Sequence, residues 1–226
     1  MACLLRPTPL HHIVVSRASF RRCRYVVKAA SEIIPGSLIL KMDDKSLGQQ
    51  EAHWKPNLGE EDDLNWNWRE FVAGRETEYG FSPDQFLEGW ALWHDAMVQG
   101  MMILSGPHIC VSQEHVGKRA VYVEYLAIAP WNRPSVRNKG HCLEISRLTK
   151  VGTALLTHAI LRSQALTMDG RVALESIQSA KQRYREMFLR ECGREPLDCG
   201  ETPGGGTLLE MSALQAAEWC HRLGLE

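Results

Sequence analysis

The sequence lacks several features that mark particular classes of protein. No apolar run approaches the roughly 20 residues that a membrane-spanning helix needs, so neither a span nor a membrane partner is predicted. The formal net charge is only −1 over 226 residues, and this balance gives no global indication of a nucleic-acid partner. Apolar residues make up 44% and charged residues 23% of the chain, which is ordinary for a soluble globular protein.

The seven cysteines are odd in number, and no two of them form a C-x-x-C pair. Neither a disulfide framework nor a structural zinc site is therefore predicted. Buried free thiols in a reducing compartment are expected, which favours a cytoplasmic location. The His11-His12 pair has no partner ligands at a useful spacing, so no metal is predicted.

The first 31 residues contain no acidic residue. Their six basic residues are Arg6, Arg17, Arg21, Arg22, Arg24 and Lys28. This composition is typical of an organelle transit peptide, but the strand-like runs "HHIVVSRASF" and "RYVVKAASEII" fit an ordered arm equally well. We therefore assign residues 1–34 to a basic N-terminal arm or targeting segment, and residues 35–226 to one folded domain.

The first half of that domain predicts few clear elements. A short strand is expected at residues 37–41, and a helix in "LNWNWREFVAGRETEY". Ser82, Pro83 and Gln85 have the spacing of a capping box at a helix start. The next segment, "FLEGWALWHDAMVQGMMIL", fits either a continuing helix or a hairpin that turns at "HDA". Its β-branched and Met-rich second run, together with Gly100, favours the hairpin.

The second half alternates strands and helices. Strands are predicted in "HICVSQEH", "AVYVEYLAIAP", "GRVALESI" and "TLLEMS". Helices are predicted from Val151 to about Leu166, in "SAKQRYREMFLREC" with Ser179 as N-cap, and in "ALQAAEWCHRLGL". A strand, a crossover helix and a second strand imply a parallel pair. The fold class is thus α+β, with a mixed, mostly antiparallel sheet and one parallel β–α–β unit.

The stretch "RLTKVGTALL" joins the strongest strand to its helix through a loop. Backbone N–H groups at a helix N-terminus attract anions, and Gly152 allows a ligand to approach the backbone closely. Arg147 and Lys150 add cationic side chains that suit a phosphate. The motif is neither a Walker P-loop nor a Rossmann fingerprint. A small residue that only permits tight helix packing remains an alternative reading of Gly152.

These motifs in their order resemble the GNAT superfamily of acyl-CoA-dependent N-acetyltransferases. The strand "EYLAIAP" is followed by Arg147, Lys150 and Gly152 in the pattern R/Q-x-x-G-x-G/A, and then by "ALL". Ala180 and Tyr184 have the A-x-x-x-Y spacing of the superfamily's next helix. The resemblance covers residues 87–220, with its core at 121–188. Lys150 departs from the pattern because it replaces the first glycine of the motif, and "WNRPSVRNKGHCLEIS" is a long insertion.

The resemblance implies an enzyme, an N-acetyltransferase that moves an acetyl group from acetyl-CoA to an unidentified primary amine. It implies direct transfer in a ternary complex, with acetyl-CoA as co-substrate, no metal, and a monomer or homodimer. A GNAT-fold protein that binds CoA or regulates without turnover is the alternative, and Lys150 keeps it open.

Two residues are candidates for catalysis. Glu124 is a charged residue within an apolar strand, which suits a general base for the substrate ammonium. Alternatively, Glu124 faces solvent or pairs with an arginine. By alternation it shares a face with Tyr122 and Leu126. The resemblance implies that Tyr184 protonates the leaving thiolate, for which a phenol of pKa about 10 is a reasonable acid.

The resemblance also implies a set of acyl-CoA contacts along the strand and the loop. Those residues are Leu126, Ala127, Ile128, Arg147, Lys150, Val151, Gly152, Thr153 and Ala154. The acceptor is not identified. Five tryptophans of the N-terminal half either line an acceptor pocket or belong to the core; they are Trp54, Trp66, Trp68, Trp90 and Trp93.

Overall fold

The computed structural model of the protein describes residues 30–58, 66–73, 85–133 and 148–225. Its strands are β1 Leu38–Lys41, β2 Phe86–His94, β3 Met97–Ile109, β4 Arg119–Ile128, β5 Val172–Ser176, β6 Leu197–Glu201 and β7 Thr207–Met211. Its helices are α1 Asp44–Gln49, α2 Trp68–Ala73, α3 Val151–Ala165, α4 Gln178–Cys192 and α5 Ala213–Arg222. Residues 30–33 form a further helical turn.

All seven strands belong to one sheet, in the order β1-β2-β3-β4-β5-β7-β6. Neighbouring strands are antiparallel except β4 and β5, which are parallel. Parallel neighbours need a crossover connection, and α3 lies in that connection. The sheet is therefore mixed and mostly antiparallel, with one parallel β–α–β unit and flanking helices. This confirms the fold class predicted from the sequence.

Strands β2 and β3 form the hairpin that the sequence favoured over a continuing helix. The turn consists of Asp95 and Ala96, and both have positive φ angles, 48° and 59°. Two positive φ angles are what a tight two-residue hairpin turn requires. The helix start predicted at Ser82 is wrong, because Gln85 leads directly into β2. Ser82 and Pro83 themselves lie outside the described residues. Pairing with both neighbouring strands overrides the local capping signal.

Other boundaries differ from the sequence prediction in identifiable ways. Helix α4 begins after Ile177, so Ser179 lies in its first turn and is not the N-cap. Helix α1, which continues through a π-helical turn and a 3-10 turn to Asn57, was not predicted. Strand β6 was not predicted either, because "LDCGE" has no strand-like alternation. Helix α5 is capped by Ser212, whose hydroxyl accepts from the backbone N–H of Gln215.

The two faces of the sheet carry separate cores. On the helix face, residues of β3, β4, β5 and β7 pack against α3, α4 and α5. On the opposite face, Trp54 and Trp68 are almost fully buried against β2, β3 and β4. Both tryptophans are therefore core residues. Ala30 and Ile34, which the sequence assigned to the N-terminal arm, pack into the helix-face core. Within the described segments, no helix has the length and apolarity to cross a membrane.

Candidate functional site

Strands β4 and β5 separate in the middle of the sheet. They pair at three positions only, and the last pair is Val123 with Leu174. Strand β4 nevertheless continues to Ile128 and remains paired with β3 on its other side. Among the described residues, no strand pairs with the β5 side of β4 beyond Val123. The result is a gap in the sheet along residues 124–128.

The backbone of β4 directs polar groups into this gap. The N–H of Ala129 donates to the carbonyl of Gln99 in the direction of β3, at 2.9 Å. Because hydrogen-bonded pairs alternate along an antiparallel ladder, Ala127 also bonds toward β3, opposite Met101. The backbone groups of Leu126 and Ile128 therefore point to the gap.

The three strand residues predicted to contact acyl-CoA thus differ in the backbone groups that they direct into the gap. Leu126 directs both its N–H and its carbonyl to the gap. Ile128 directs its N–H there, while its carbonyl accepts a hydrogen bond from Nε of Arg133 at 2.8 Å. Ala127 gives its backbone groups to β3. Arg133 itself is buried. Arg147, the predicted acyl-CoA contact of the loop, lies outside the described residues.

Helix α3 begins beside β4, and the side chain of its N-cap residue, Lys150, forms no capping hydrogen bond. The first N–H groups belong to Val151, Gly152 and Thr153, while the N–H of Ala154 already donates to the carbonyl of Lys150. A Cβ at Gly152 would meet no atom of the described residues within 4 Å, the backbone of its own helix aside. The first turn of the helix therefore has room on its outer side for an anion, and the packing explanation for this glycine finds no neighbour.

Lys150 replaces the first glycine of the GNAT motif. Its backbone conformation is one that glycine adopts more easily than any other residue. Lys150 is the N-cap of α3 with φ 64° and ψ 14°, in the left-handed region. Glycine adopts this region without steric cost, whereas other L-residues lose roughly 1–2 kcal/mol. The conformation expected of the motif glycine is therefore kept by a lysine, whose side chain is exposed.

A second cation reaches the same helix end from α4. Nη2 of Arg190 lies 3.4 Å from Oγ1 of Thr153, and its Nε bonds Glu191 at 2.7 Å. Arg190 was not predicted from the sequence, because it lies 37 positions from Thr153 and belongs to no motif. The order β5–α4 places the end of α4 near the start of α3. Arg190 is thus a further cation at the anion-attracting end of α3.

Glu124 occupies a bulge in β4. Tyr125 pairs with Ile103 and Val123 pairs with Leu104, so Glu124 is the extra residue between them. Its Oε1 accepts a hydrogen bond from Oγ of Ser105 at 2.7 Å. Ser105 pairs with Tyr122 across the ladder, so Glu124 shares a face with Tyr122 as predicted.

The bulge reverses the face assignment of every later residue in β4. Strict alternation would place Leu126 on the face of Glu124 and Tyr122, and this prediction is wrong. Leu126 packs against the helix-face core together with Ile128. Tyr125 lies on the opposite face, where its ring stacks on Phe71 at a centroid distance of 4.1 Å. One inserted residue changes the parity of the strand.

Tyr122 and His108 extend the surroundings of Glu124. Burial first, and then the charges of Glu124 and Glu175, raise the pKa of Tyr122 to about 12. The ring of His108 lies 5.3 Å from that of Tyr122. Neither residue was predicted from the sequence to have a role. The carboxylate of Glu124 thus bonds Ser105 and shares its face of the sheet with the neutral phenol of Tyr122, whose ring lies beside His108.

Tyr184 projects from α4 and packs against the same helix-face core as Leu126 and Ile128. Burial raises the pKa of its phenol to about 12. Its hydroxyl forms no hydrogen bond with another described residue. The phenol is a weaker acid than the value of about 10 expected from the sequence. At neutral pH it is a fully protonated hydrogen-bond donor whose donor site the described residues leave unused.

The sequence and the fold were compared with known proteins. No protein-family model matches the chain, and no curated protein matches it by sequence. Solved structures do match. An acetyltransferase from Streptococcus agalactiae is 14% identical with TM-score 0.46, covering 78% of this chain and 98% of its own. Arabidopsis thaliana Naa50, bound to the bisubstrate analogue CoA-Ac-MVNAL, is 13% identical with TM-score 0.42 and coverages of 78% and 99%.

A third match is a KacTA–DNA complex, 18% identical with TM-score 0.46, covering 80% of this chain and 96% of that one. At such identities and TM-scores these likenesses establish no activity for this chain. The assignment of the fold rests on the molecule's own topology. Strands β1 to β4 form an antiparallel meander, α3 crosses over to β5, and β5 pairs in parallel with β4 and then separates from it. The N-terminal end of α3 lies beside the gap that results. This is the GNAT-type fold that the sequence motifs predict.

Proposed function

We propose that the protein is an N-acetyltransferase that transfers an acetyl group from acetyl-CoA to a primary amine, directly and within a ternary complex. The observation that carries the proposal is the gap between β4 and β5. A sheet interior with backbone donors and acceptors directed into a gap suits an extended ligand with amide groups, which completes the ladder as an added strand does. The pantetheine arm of CoA is such a ligand.

The residues around the gap fit acetyl-CoA from one end to the other. Leu126 and Ile128 supply backbone groups for the pantetheine amides. The N–H groups of residues 151–153 suit the diphosphate, because a helix N-terminus favours negative charge. Lys150 and Arg190 add positive charge there, and Arg147 is expected to do the same. When bound, acetyl-CoA supplies the activated acetyl thioester.

Glu124 and Tyr184 have complementary tasks in this proposal. The carboxylate of Glu124, oriented by Ser105, takes a proton from the substrate ammonium so that the amine nitrogen can form its bond to the acetyl carbon. As the carbon–sulfur bond breaks, Tyr184 donates a hydrogen bond to the departing sulfur. A phenol of pKa about 12 stabilises a thiolate of pKa about 8.5 without surrendering its proton, and the thiolate is then protonated by water.

Two measurements test the proposal together. Acetyl-CoA at millimolar concentration should raise the melting temperature, since a ligand that binds only the native state stabilises it. Thiol release from acetyl-CoA should then depend on an added amine, measured over small polyamines, peptide N-termini and lysine peptides. Absence of any thermal shift overturns the proposal. A thermal shift with no amine-dependent thiol release supports the alternative, a CoA-binding or regulatory protein without turnover.

Two variants of Lys150 test whether its charge contributes to acetyl-CoA binding at the loop. Lys150→Gly removes the charge and relieves the left-handed backbone, whereas Lys150→Arg keeps both the charge and the strain. We expect Lys150→Gly to raise the free energy of unfolding by roughly 1 kcal/mol and to weaken acetyl-CoA binding in a salt-dependent manner. Lys150→Arg should preserve binding. Equal affinity in both variants would remove the lysine charge from the site.

A further inference from the structure

A second group of reactive side chains lies near the β6–β7 edge of the sheet. Cys110 directly follows β3, His115 belongs to the loop between β3 and β4, and Glu210 lies on β7. All three are buried, and one donor atom of each lies within 4.8 Å of the donor atoms of the other two. The loop that carries Cys110 covers Ala120 of β4 and Ala173 of β5 in a small apolar cluster. The fold thereby brings the loop of residues 110–118 together with β4, β5 and β7.

Glu210 is a fully buried carboxylate with a defined set of donors. Its Oε1 accepts from the N–H of Val111 at 2.9 Å and contacts Nε2 of His108 at 3.1 Å. Its Oε2 accepts from the N–H of Ser112 at 3.1 Å. The side chains of Ser112 and Cys199 also hydrogen-bond to this carboxylate. Glu210 therefore holds the loop of residues 110–118 through several donors at once.

His115 lies beside Oε2 of Glu210. Its Nε2 lies 3.4 Å from Oε2 of Glu210 and 3.0 Å from Oγ of Ser112. Its Nδ1 is buried and has no hydrogen-bond partner among the described residues. Two ligands bound to one tetrahedral ion at about 2.0–2.1 Å lie about 3.3 Å apart. The separation of Nε2 and Oε2 is close to that distance, and Nδ1 is the ring atom that the described residues leave unsatisfied.

A second thiol, that of Cys199, lies beside this group of three. It interacts with the carboxylate of Glu210 and with Cys110, and its Sγ contacts the carbonyl of Leu197 at 3.6 Å. Cys199 lies on β6, beside β7. A set of two thiolates, one imidazole and one carboxylate is a donor set for zinc. Soft sulfur ligands do not suit Mg²⁺ or Ca²⁺, which prefer oxygen.

We propose that Cys110, His115 and Glu210, completed by Cys199, bind one zinc ion that pins the loop of residues 110–118 to the β6–β7 hairpin. Binding forms two bonds to sulfur, one to nitrogen and one to oxygen. The two thiol protons pass to water. His115 also lines a surface cavity of about 330 Å³, which provides an entry path. Glu114, Glu195, Lys118, Arg171 and Arg194 line the same cavity, so its charges are of both signs.

This site is independent of acetyl transfer, and its test reads metal rather than activity. Protein without an affinity tag is freed of metal with a chelator and titrated with Co²⁺, followed by competition with Zn²⁺. We expect one equivalent of Co²⁺ to bind, with the intense visible bands of a tetrahedral site and a thiolate-to-cobalt charge-transfer band in the near ultraviolet. Zn²⁺ should displace the Co²⁺. Elemental analysis of protein purified without chelator should find one zinc per chain.

Variants locate the ion. Cys110→Ser, His115→Ala and Glu210→Gln should each lower the zinc affinity by more than the roughly 10–100-fold that loss of an outer-shell partner causes. Cys199→Ser should remove about half of the charge-transfer absorbance, because one of two thiolates is lost. Cys220→Ser is the matched control. Cys220 is a buried thiol near Gln164, outside the cluster, and its replacement should leave the titration unchanged.

The decisive outcome does not depend on whether the variants fold. Folded wild-type protein that binds no Co²⁺ overturns the proposal, and the cluster is then a metal-free hydrogen-bond network centred on Glu210. Binding of Co²⁺ that persists unchanged in Cys110→Ser, with no thiolate band in either protein, overturns it as well. A charge-transfer band that keeps its full intensity in Cys199→Ser assigns the fourth position to another ligand and overturns the role of Cys199.

Discussion

Single residues carry the chemistry proposed for the gap, and Glu124 is the first of them. Glu124→Gln keeps the size of the side chain and its ability to accept from Ser105, but it cannot take a proton. We expect turnover at neutral pH to fall by about 10²-fold or more. Partial recovery at high pH should follow, because the amine then loses its proton to bulk water. The measurement is the pH profile of kcat/KM.

The matched control for this variant is Glu175→Gln, an exposed carboxylate that also lies near Tyr122. It should leave the rate within a few-fold of wild type. Unchanged kinetics in Glu124→Gln would remove Glu124 as the base.

Tyr184→Phe tests the donor to the leaving sulfur. A hydrogen bond to a charged group is worth about 1.5–3 kcal/mol, so kcat should fall by about 10- to 100-fold. The KM for acetyl-CoA should change little. Because the pKa of the phenol is about 12, wild-type activity should show no loss from ionisation of this group below about pH 11.

Stability provides the control for Tyr184→Phe. The Tyr184 hydroxyl forms no hydrogen bond with another described residue, so its removal should not lower the free energy of unfolding. A variant with full kcat would contradict the assigned role, and so would a variant whose lost activity tracks lost stability.

At the scale of elements, the seating of α3 on the sheet depends on one glycine. Gly100 of β3 pairs with Ile128 of β4. A Cβ at Gly100 would lie 2.7 Å from Cγ1 of Val151 and 2.9 Å from Cδ1 of Leu155. Since Val151 is the first residue of α3, any side chain at position 100 pushes the uncapped end of the helix away from the gap.

Gly100→Ala should therefore lower the free energy of unfolding by about 1–3 kcal/mol, the range typical of overpacked cores, and weaken acetyl-CoA binding. Val151→Ala removes the nearer obstructing methyl but keeps the backbone N–H. The double variant should recover part of both losses, with Leu155 accounting for the remainder. Chemical denaturation and calorimetry check the two effects. Identical binding in wild type and Gly100→Ala would separate the helix position from the ligand site.

For the whole molecule, a buried histidine sets the response to acid. His158 of α3 is almost fully buried and has no hydrogen-bond partner for either ring nitrogen among the described residues. Its ring packs against that of Trp90 in a tilted arrangement, with the ring centroids 4.2 Å apart. Burial lowers its pKa from 6.5 to about 3. Below pH 6.5 the unfolded chain binds a proton that the folded chain excludes. Stability from this residue is therefore complete above pH 6.5 and is lost toward pH 3.

The expected slope is up to about 1.4 kcal/mol per pH unit across that window. His158→Phe keeps an aromatic ring against Trp90 and removes the titration. Urea denaturation from pH 7 to pH 4 should show a shallower decline for the variant than for wild type. Parallel declines would mean that the unfolded chain gains no extra proton here.

Local sequence patterns predicted those parts of the fold in which neighbours along the chain decide the outcome. The strand "AVYVEYLAIAP", the helix after Lys150 and the A-x-x-x-Y helix all appear where the sequence placed them. Tertiary contacts decided the rest. The bulge at Glu124 depends on pairing with β3, so simple alternation placed Leu126 on the wrong face. Arg190 meets Thr153 only because two helices pack side by side.

The same reasoning explains why the sequence predicted no metal site. Cys110 and His115 lie in one loop, but Cys199 and Glu210 are far from them along the sequence. Only the order of strands across the sheet brings the two pairs together. Glu210 in particular resembles any acidic residue at the end of a strand. Only the fold shows that Glu210 is completely buried. A buried carboxylate requires hydrogen-bond donors or a metal ion as partners.

The extra residue at Glu124 also determines which length changes the gene can tolerate. Deleting Glu124 would remove the bulge and restore plain alternation. Tyr125 would keep its pairing with Ile103, and Leu126 and Ile128 would keep both their face of the sheet and the direction of their backbone groups toward the gap. In a library of single-codon deletions, loss of Glu124 should therefore lower amine-dependent turnover, because the proposed base is missing, while acetyl-CoA binding stays close to that of wild type.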